Sequence, residues 1–191
     1  MTERPESDSP LADQLDSDDD ASIQLAASKP RRRQTNPAHV TEFFDRFHDK
    51  IEAMANELNI DKRLILAIGA YESGWFQDDP KNNNYSRSNN NFFGYSKNEI
   101  PMKFDQVDEN IRQWKNKWGA ILRDVGDDRE KLLDRMLRPP INPRTGKPAY
   151  EAYNQREGYE PELRGVIKTI YNRLPIWNVD QMEKAMSSPK N

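Results

Sequence analysis

Residues 64–70 read Leu-Ile-Leu-Ala-Ile-Gly-Ala, and the run ends at Tyr71 and Glu72. A helix built from such a run has almost no polar face, so it belongs at the buried centre of a domain. Asp61 stands where a helix N-cap would, and Gly74 suits the opposite end. The spacing therefore predicts a helix from Asp61 to about Trp75. Glu72 follows Ile68 by four residues and Leu64 by eight, on the face that both share. An ionised carboxylate is costly to bury alone, so Glu72 calls for either a counter-charge or a chemical role. The spacing leaves both open.

Other stripes surround this centre. Val40, Phe43, Phe44, Phe47, Ile51, Met54, Ala55 and Leu58 recur at three- and four-residue steps, with Asn36 as the expected N-cap and Pro37 in the first turn. Val107, Ile111, Trp114, Trp118, Ile121 or Leu122, and Val125 give a second stripe. Leu132, Leu133, Met136 and Leu137 form a third, begun by Asp127 or Asp128 and stopped by Pro139-Pro140. A short helix is expected through Tyr150 and Tyr153, and a last one from Pro161, with Leu163, Val166, Ile167, Ile170 and Leu174 inward. Residues 77–91, "QDDPKNNNYSRSNNN", have no period and many turn formers, which predicts a long polar loop. Residues 92–104 alternate weakly, as a short hairpin would. The fold class is mostly α, with at most a small β element.

Composition divides the chain. Residues 1–29 carry eight acidic side chains against Arg4 and Lys29, and have no aromatic. Such a stretch cannot bury enough surface to offset its ordering entropy. We expect a disordered acidic tail and basic linker over 1–35, a folded domain over 36–180, and a flexible C-terminus over 181–191. The start lacks a basic, then apolar, then small-residue pattern, so it is not expected to act as a secretory leader. No apolar run is long enough to span a bilayer, so the chain is not expected to be membrane-embedded. Without cysteine there is no disulfide, thiolate metal site or cysteine nucleophile. His39 and His48, nine residues apart on one helix, are badly spaced for joint metal ligation, and neither metal nor cofactor is expected. The "RRR" of the linker is not extended into a basic stripe, which argues against a nucleic-acid module.

Beside a plain ion pair with an arginine or lysine, the residues around Glu72 suit one chemistry. Burial destabilises the charged form of a carboxyl and raises its pKa, and a glutamic acid protonated near neutrality can protonate a glycosidic leaving oxygen. Trp75 and Phe76 beside it offer faces on which sugar rings could stack. The sequence "LILAIGAYESGWF" followed by "NNNFFGYS" also resembles the lysozyme-like superfamily, and more closely the bacterial endo-β-N-acetylglucosaminidases of glycoside hydrolase family 73. Four elements carry the likeness in order: Ala70-Tyr71-Glu72-Ser73-Gly74-Trp75, Asn91-Phe92-Phe93-Gly94, Lys103-Phe104-Asp105 and Gly158-Tyr159-Glu160. The resemblance implies a lysozyme-like helical domain with a reduced β lobe. It makes Glu72 the general acid and sets Tyr159 near the cleaved sugar. It looks for a second acid in a hairpin lobe, where only Glu99 falls, with Asp105 at the edge. If Glu99 cannot come near, the N-acetyl oxygen of the sugar is the other nucleophile. Asn91, Phe93 and Tyr95 are expected to shape the groove floor, and Tyr153 to bind substrate.

The implied substrate is the peptidoglycan glycan strand, cut between N-acetylglucosamine and N-acetylmuramic acid. A muramidase or lytic transglycosylase has the same fold and cuts the other linkage; a decayed sugar-binding domain is the non-enzymatic alternative. The late Gly-Tyr favours the glucosaminidase branch, and the retained Glu72 disfavours decay. An acidic tail ahead of one catalytic domain also resembles type VI secretion cell-wall effectors. That implies synthesis in the cytoplasm, action at the wall or periplasm of a target cell, and a periplasmic immunity protein that occludes the groove. Phage lysis and delivery on a phage tail are the other routes that fit.

Overall fold

A computed structural model describes residues 34–187. The acidic tail and most of the basic linker lie outside these residues. The described chain runs α1 (Ala38–Leu58), α2 (Lys62–Glu72), a hairpin of β1 (Asp78–Asp79) and β2 (Asn84–Tyr85), a second hairpin of β3 (Ser96–Lys97) and β4 (Ile100–Pro101), then α3 (Val107–Leu122), α4 (Arg129–Leu137) and α5 (Tyr159–Ser187). It is mostly α with a reduced β lobe, as the sequence implies. Both hairpins are antiparallel and two residues deep per strand.

The apolar run is the centre of this arrangement. Every residue from Leu64 to Ala70 is buried, and α2 packs chiefly against α5 and α1. Asp61 caps it, accepting from the Arg63 N–H at 2.8 Å. Gly69 lets the chain at Phe92 come close, because a Cβ there would lie 2.0 Å from the Phe92 ring. This contact carries residues 91–95 onto the end of α2.

α2 stops at Glu72, three residues before the expected end. Gly74, Trp75 and Phe76 all take left-handed conformations, with φ of +57°, +62° and +57°. Bulky residues there are strained, and buried Ser73 holds the turn. Its Oγ donates to the Gly69 carbonyl at 2.6 Å and accepts from the Phe76 N–H at 2.9 Å. The Trp75 N–H donates to the Ala70 carbonyl at 2.8 Å. The Ser-Gly-Trp that follows Glu72 thus turns the chain back beneath the helix end.

Several expectations are corrected. Asn36 does not cap α1; its Nδ2 donates to the Arg173 carbonyl at 3.0 Å and ties the start of α1 to α5. The polar stretch 77–91 contains the β1–β2 hairpin with a 3-10 turn at Pro80–Asn82. Its short polar side chains bond to nearby backbone: Asp78 accepts from the N–H groups of Arg87 and Ser88, both at 3.0 Å. No helix forms through Tyr150 and Tyr153. Instead the Tyr153 N–H donates to the Met136 carbonyl and the Tyr150 hydroxyl to the Arg135 carbonyl, at 2.7 and 2.9 Å, fastening the segment to the end of α4. α5 runs on to Ser187, through Pro175 and past residue 180. There Trp177 and Gln181 both donate to Asp45 Oδ1 on α1, at 2.6 and 2.8 Å. Among the described residues no helix is long and apolar enough to cross a membrane.

Candidate active site

Glu72 is the last residue of α2 and Tyr159 the first of α5. The packing of these two helices brings them together, and the Tyr159 hydroxyl donates to Glu72 Oε1 at 2.5 Å. Tyr159 is 2% exposed, so its hydroxyl has little freedom to turn elsewhere. On another side Gly94, at φ +62°, lies against the carboxylate; a Cβ there would stand 3.0 Å from both the Glu72 carbonyl oxygen and Oε2. A side chain at Gly94 would crowd the carboxyl, which explains a glycine after the two phenylalanines.

Two cavities, of about 1050 and 330 Å³, meet at this carboxyl. Glu72, Gly94, Ser96 and Asn154 line both. The larger is walled by Asn82, Asn83 and Asn84 and by Tyr71, Arg156 and Glu162; the smaller by Tyr95, Tyr153 and Trp118.

Burial pushes the Glu72 carboxyl up to about 7, partly offset by the Tyr159 hydrogen bond and the positive charge of Arg156. Burial also raises Tyr159 far above the usual phenol range, and the neighbouring Glu72 charge adds to this. It therefore stays a hydroxyl donor. Tyr71, whose ring meets Tyr159 edge-on at 5.0 Å, donates to Glu162 Oε2 at 2.6 Å. Arg156 donates to both oxygens of Glu162, at 3.2 and 2.6 Å, and to the Tyr71 hydroxyl. Hydrogen bonds from Arg156 and Tyr71 hold Glu162 down at about 2.

The expected site residues divide into those that reach the groove and those that do not. Tyr153 and Tyr95 line the smaller cavity; the Tyr153 hydroxyl accepts from Trp114 Nε1 at 3.2 Å, and the buried Tyr95 hydroxyl has no partner among the described residues. Asn91 lines the larger one as a brace. Its Oδ1 accepts from Tyr95 N–H and Asn110 Nδ2, and its Nδ2 donates to the Tyr95 and Met102 carbonyls, which uses its full hydrogen-bonding capacity. Phe93 also lines the smaller cavity; it is 2% exposed and stacked on Trp114 at 4.4 Å, so it forms part of the floor with most of its ring packed beneath. Trp75 is a correction. It packs edge-on against Phe43 at 5.3 Å and His39 at 6.0 Å, beside Phe76, and lines neither cavity at Glu72. The left-handed turn sends both side chains toward α1, with Phe76 4% exposed. Glu99 stands in the turn between β3 and β4, at φ +65° and exposed, and lines neither cavity. Asp105 is exposed ahead of α3.

The pattern reading missed Tyr71, Gly94, Arg156 and Glu162. One local signal existed: Glu162 lies three residues beyond Tyr159, on the same face of α5. Among the described residues His48, Asp49 and Glu52 form one group close enough to hold a metal ion. Lys62 already engages it, bonding to His48 Nε2 at 2.8 Å and to Glu52.

The glucosaminidase family, described as mannosyl-glycoprotein endo-β-N-acetylglucosaminidase, matches residues 48–180. The chain belongs to this family. It is a glycoside hydrolase, and the matched span contains α2, both hairpins and most of α5. A chain in a type VI secretion system effector–immunity complex from Pseudomonas protegens is similar in structure, with a TM-score of 0.54 and 17% identity over 73% of this chain and 96% of that one. The two share a fold. No curated protein matches.

Proposed function

We propose that the chain hydrolyses peptidoglycan, cutting the β-1,4 bond between N-acetylglucosamine and N-acetylmuramic acid with Glu72 as general acid. The observation that carries this is Glu72 itself, a buried carboxyl pushed up to about 7 where two cavities meet. An acid of that kind is protonated often enough near neutrality to deliver a proton to the leaving oxygen. Tyr159 engages Oε1, which leaves Oε2 to carry that proton. Glu99, exposed and away from both cavities, is poorly sited as base or nucleophile. This favours the acetamido oxygen of the cleaved sugar as the internal nucleophile, with the chain's part confined to orienting the sugar and moving the proton.

Membership of the glucosaminidase family supports the choice of linkage. The structural likeness to a chain from an effector–immunity complex supports delivery by type VI secretion from the producing cytoplasm into a neighbour's periplasm. It equally supports a cognate immunity protein that covers the groove.

Glu72→Gln tests the acid. Turnover of purified peptidoglycan should fall by about 10²-fold or more, the usual scale for general acid catalysis, and the wild-type rate should decline above a pKa near 7. Stability should move the other way. Folding raises this pKa above its ordinary 4.5, so the folded protein favours the protonated carboxyl. Its contribution is full below pH 4.5 and lost as pH rises through 7. At pH 8 the Gln variant should be about 1–3 kcal/mol more stable than wild type, and at pH 4 about equal. A destabilised but active variant would return Glu72 to a merely structural role. Mass spectrometry of wild-type products should show reducing-end N-acetylglucosamine; reducing-end muramic acid or an anhydro sugar would overturn the linkage.

A further inference from the structure

Trp75 and Phe76 line neither cavity at Glu72, yet the larger cavity has an aromatic of its own. Tyr85, the last residue of β2, lines it together with Glu72 and is 37% exposed. Among the described residues every other phenylalanine, tyrosine and tryptophan has its ring packed against another aromatic or its hydroxyl hydrogen-bonded. Tyr85 has neither. Its side chain is therefore unused by the fold.

The backbone beneath it is well fixed. Asn84 Nδ2 donates to the carbonyl of Ser73, one residue past Glu72, at 3.2 Å, and Asn84 Oδ1 accepts from the Ser86 N–H at 3.0 Å. A Cβ on Gly74 would lie 2.8 Å from Asn84 Nδ2, so the glycine of that turn admits the contact. The Tyr85 carbonyl accepts from the Asn89 N–H at 2.8 Å. A ligand thus meets a main chain already ordered, which lowers the cost of binding. Asn82 and Asn83 line the same wall. Asn82 donates to Asp79 Oδ2 at 2.7 Å and keeps its own Oδ1 unspent, and the Asn83 amide has no partner among the described residues. Residues 82–86 carry no charge. A neutral ring beside unspent amides suits a pyranose, whose C–H face can lie on the aromatic while its hydroxyl or acetamido groups meet the amides.

We propose that Tyr85 is the stacking face of a distal sugar subsite, where a ring of the strand beyond the cleaved bond lies between the tyrosine and the amides of Asn82 and Asn83. This rests on the peptidoglycan reading and makes it more specific: the groove holds more than the two sugars at the cleaved bond, and long strands bind better than short ones. The cavity has the room. Its volume of about 1050 Å³ matches the top of the roughly 300–1,000 Å³ range of pockets for drug-sized molecules. The Asn84–Ser73 bond sets the distance between this subsite and the acid, because it ties the hairpin to the residue that follows Glu72.

The test measures binding by the full chain carrying Glu72→Gln, alone and combined with Tyr85→Ala or Tyr85→Phe. The probes are peptide-free peptidoglycan glycans of increasing length: disaccharide, tetrasaccharide, hexasaccharide and intact stripped strands. With Tyr85 present, affinity should rise about tenfold at the length that first reaches the subsite, the scale of an aromatic contact with its buried area. Tyr85→Ala should abolish that step, weakening the longer glycans about tenfold and leaving the shortest as it was. Tyr85→Phe keeps the ring and should keep the step. Melting curves should coincide for all three proteins, because an exposed side chain that no other group contacts through ring or hydroxyl contributes little to stability. Tyr85→Ala binding every length as its parent does, or losing equally on every length, overturns the subsite and leaves the hydrolase reading standing. An equal loss in Tyr85→Phe and Tyr85→Ala overturns the stacking face. Failure of the Glu72→Gln protein to bind any of the glycans overturns the peptidoglycan reading as well.

Discussion

Two sets of aromatic rings flank the end of α2, and they behave differently. On the α1 side, Phe43, Phe47, Phe76 and Phe92 form one packed cluster, with Phe92 4.3 Å from Phe47 and 4.7 Å from Phe93. Trp75 leans on its edge. On the groove side stand Tyr71, Tyr153 and Tyr159, whose hydroxyls meet Glu162, Trp114 and Glu72. The first set is held by buried area and dispersion, which no ionisation alters. The second is tied through Tyr159 to Glu72, whose charge changes near neutrality. One hydroxyl per ring separates the two, because a phenol can be buried where it finds a polar partner while a phenyl ring needs none. The lesson is a division of labour: rings behind Glu72 should set stability, and rings in front of it should set chemistry.

The largest test of that division is Phe92→Ala. Phe92 is 0% exposed and fills the space that Gly69 leaves open. Its loss should cost about 3–5 kcal/mol by chemical denaturation, the range for truncating a buried phenylalanine. The peptidoglycan rate should track the folded fraction. A stable Phe92→Ala protein with a lost rate would break the comparison.

Next in size is Tyr159→Phe, which deletes one oxygen and leaves the ring. The hydroxyl donates to Glu72 and lowers its pKa, so its removal should raise the alkaline limb of the pH–rate profile. Loss of the same bond frees the carboxyl to turn, and turnover should fall about tenfold with a melting temperature close to wild type. A shift in melting without a shift in the pH limb would move Tyr159 to the structural set.

The rear set was more legible in the sequence than the front set. Phe43, Phe44 and Phe47 announce themselves through three- and four-residue spacing, and Asp61 and Asp128 cap α2 and α4 as their positions suggest. Periodicity works because each helix buries its own stripe. It fails for Asn36, whose partner is 137 residues away, and for residues 77–91, where order comes from short polar side chains bonding to backbone with no period to read. It fails again past residue 180, because Asp45 on α1 anchors the far end of α5. In the site, Glu72 stood out as a carboxylate ending an apolar run. Tyr159 came only through a family motif, and Arg156 through neither. Its contacts with Tyr71 span 85 residues, and no local pattern encodes a meeting of two helix ends. Trp75 misled because it adjoins Glu72 in sequence, while the left-handed turn carries it to the opposite side.

The smallest expected effect belongs to Trp75, and it sharpens the comparison most. Trp75 sits next to the motif yet lies with the rear set, 5.3 Å from Phe43. Trp75→Phe keeps an aromatic edge for Phe43 and loses part of the contact with His39. The turn keeps its left-handed residue, since Ser73 and the Ala70 carbonyl fix the backbone whatever the side chain. Stability should drop by about 1 kcal/mol, as for a modest change of shape in a packed cluster. Affinity for glycan strands should remain within about twofold of wild type, well inside the margin that a stacked sugar ring would set, since an aromatic contact contributes about 0.5–1.5 kcal/mol beyond its buried area. The two quantities come from one pair of proteins, by thermal melting and by strand binding in the Glu72→Gln background. If affinity falls tenfold while the melting curve stays put, Trp75 faces substrate after all and the rear set is not purely structural. If the melt shifts and binding does not, the turn after Glu72 has moved an aromatic out of the groove and into the support beneath it.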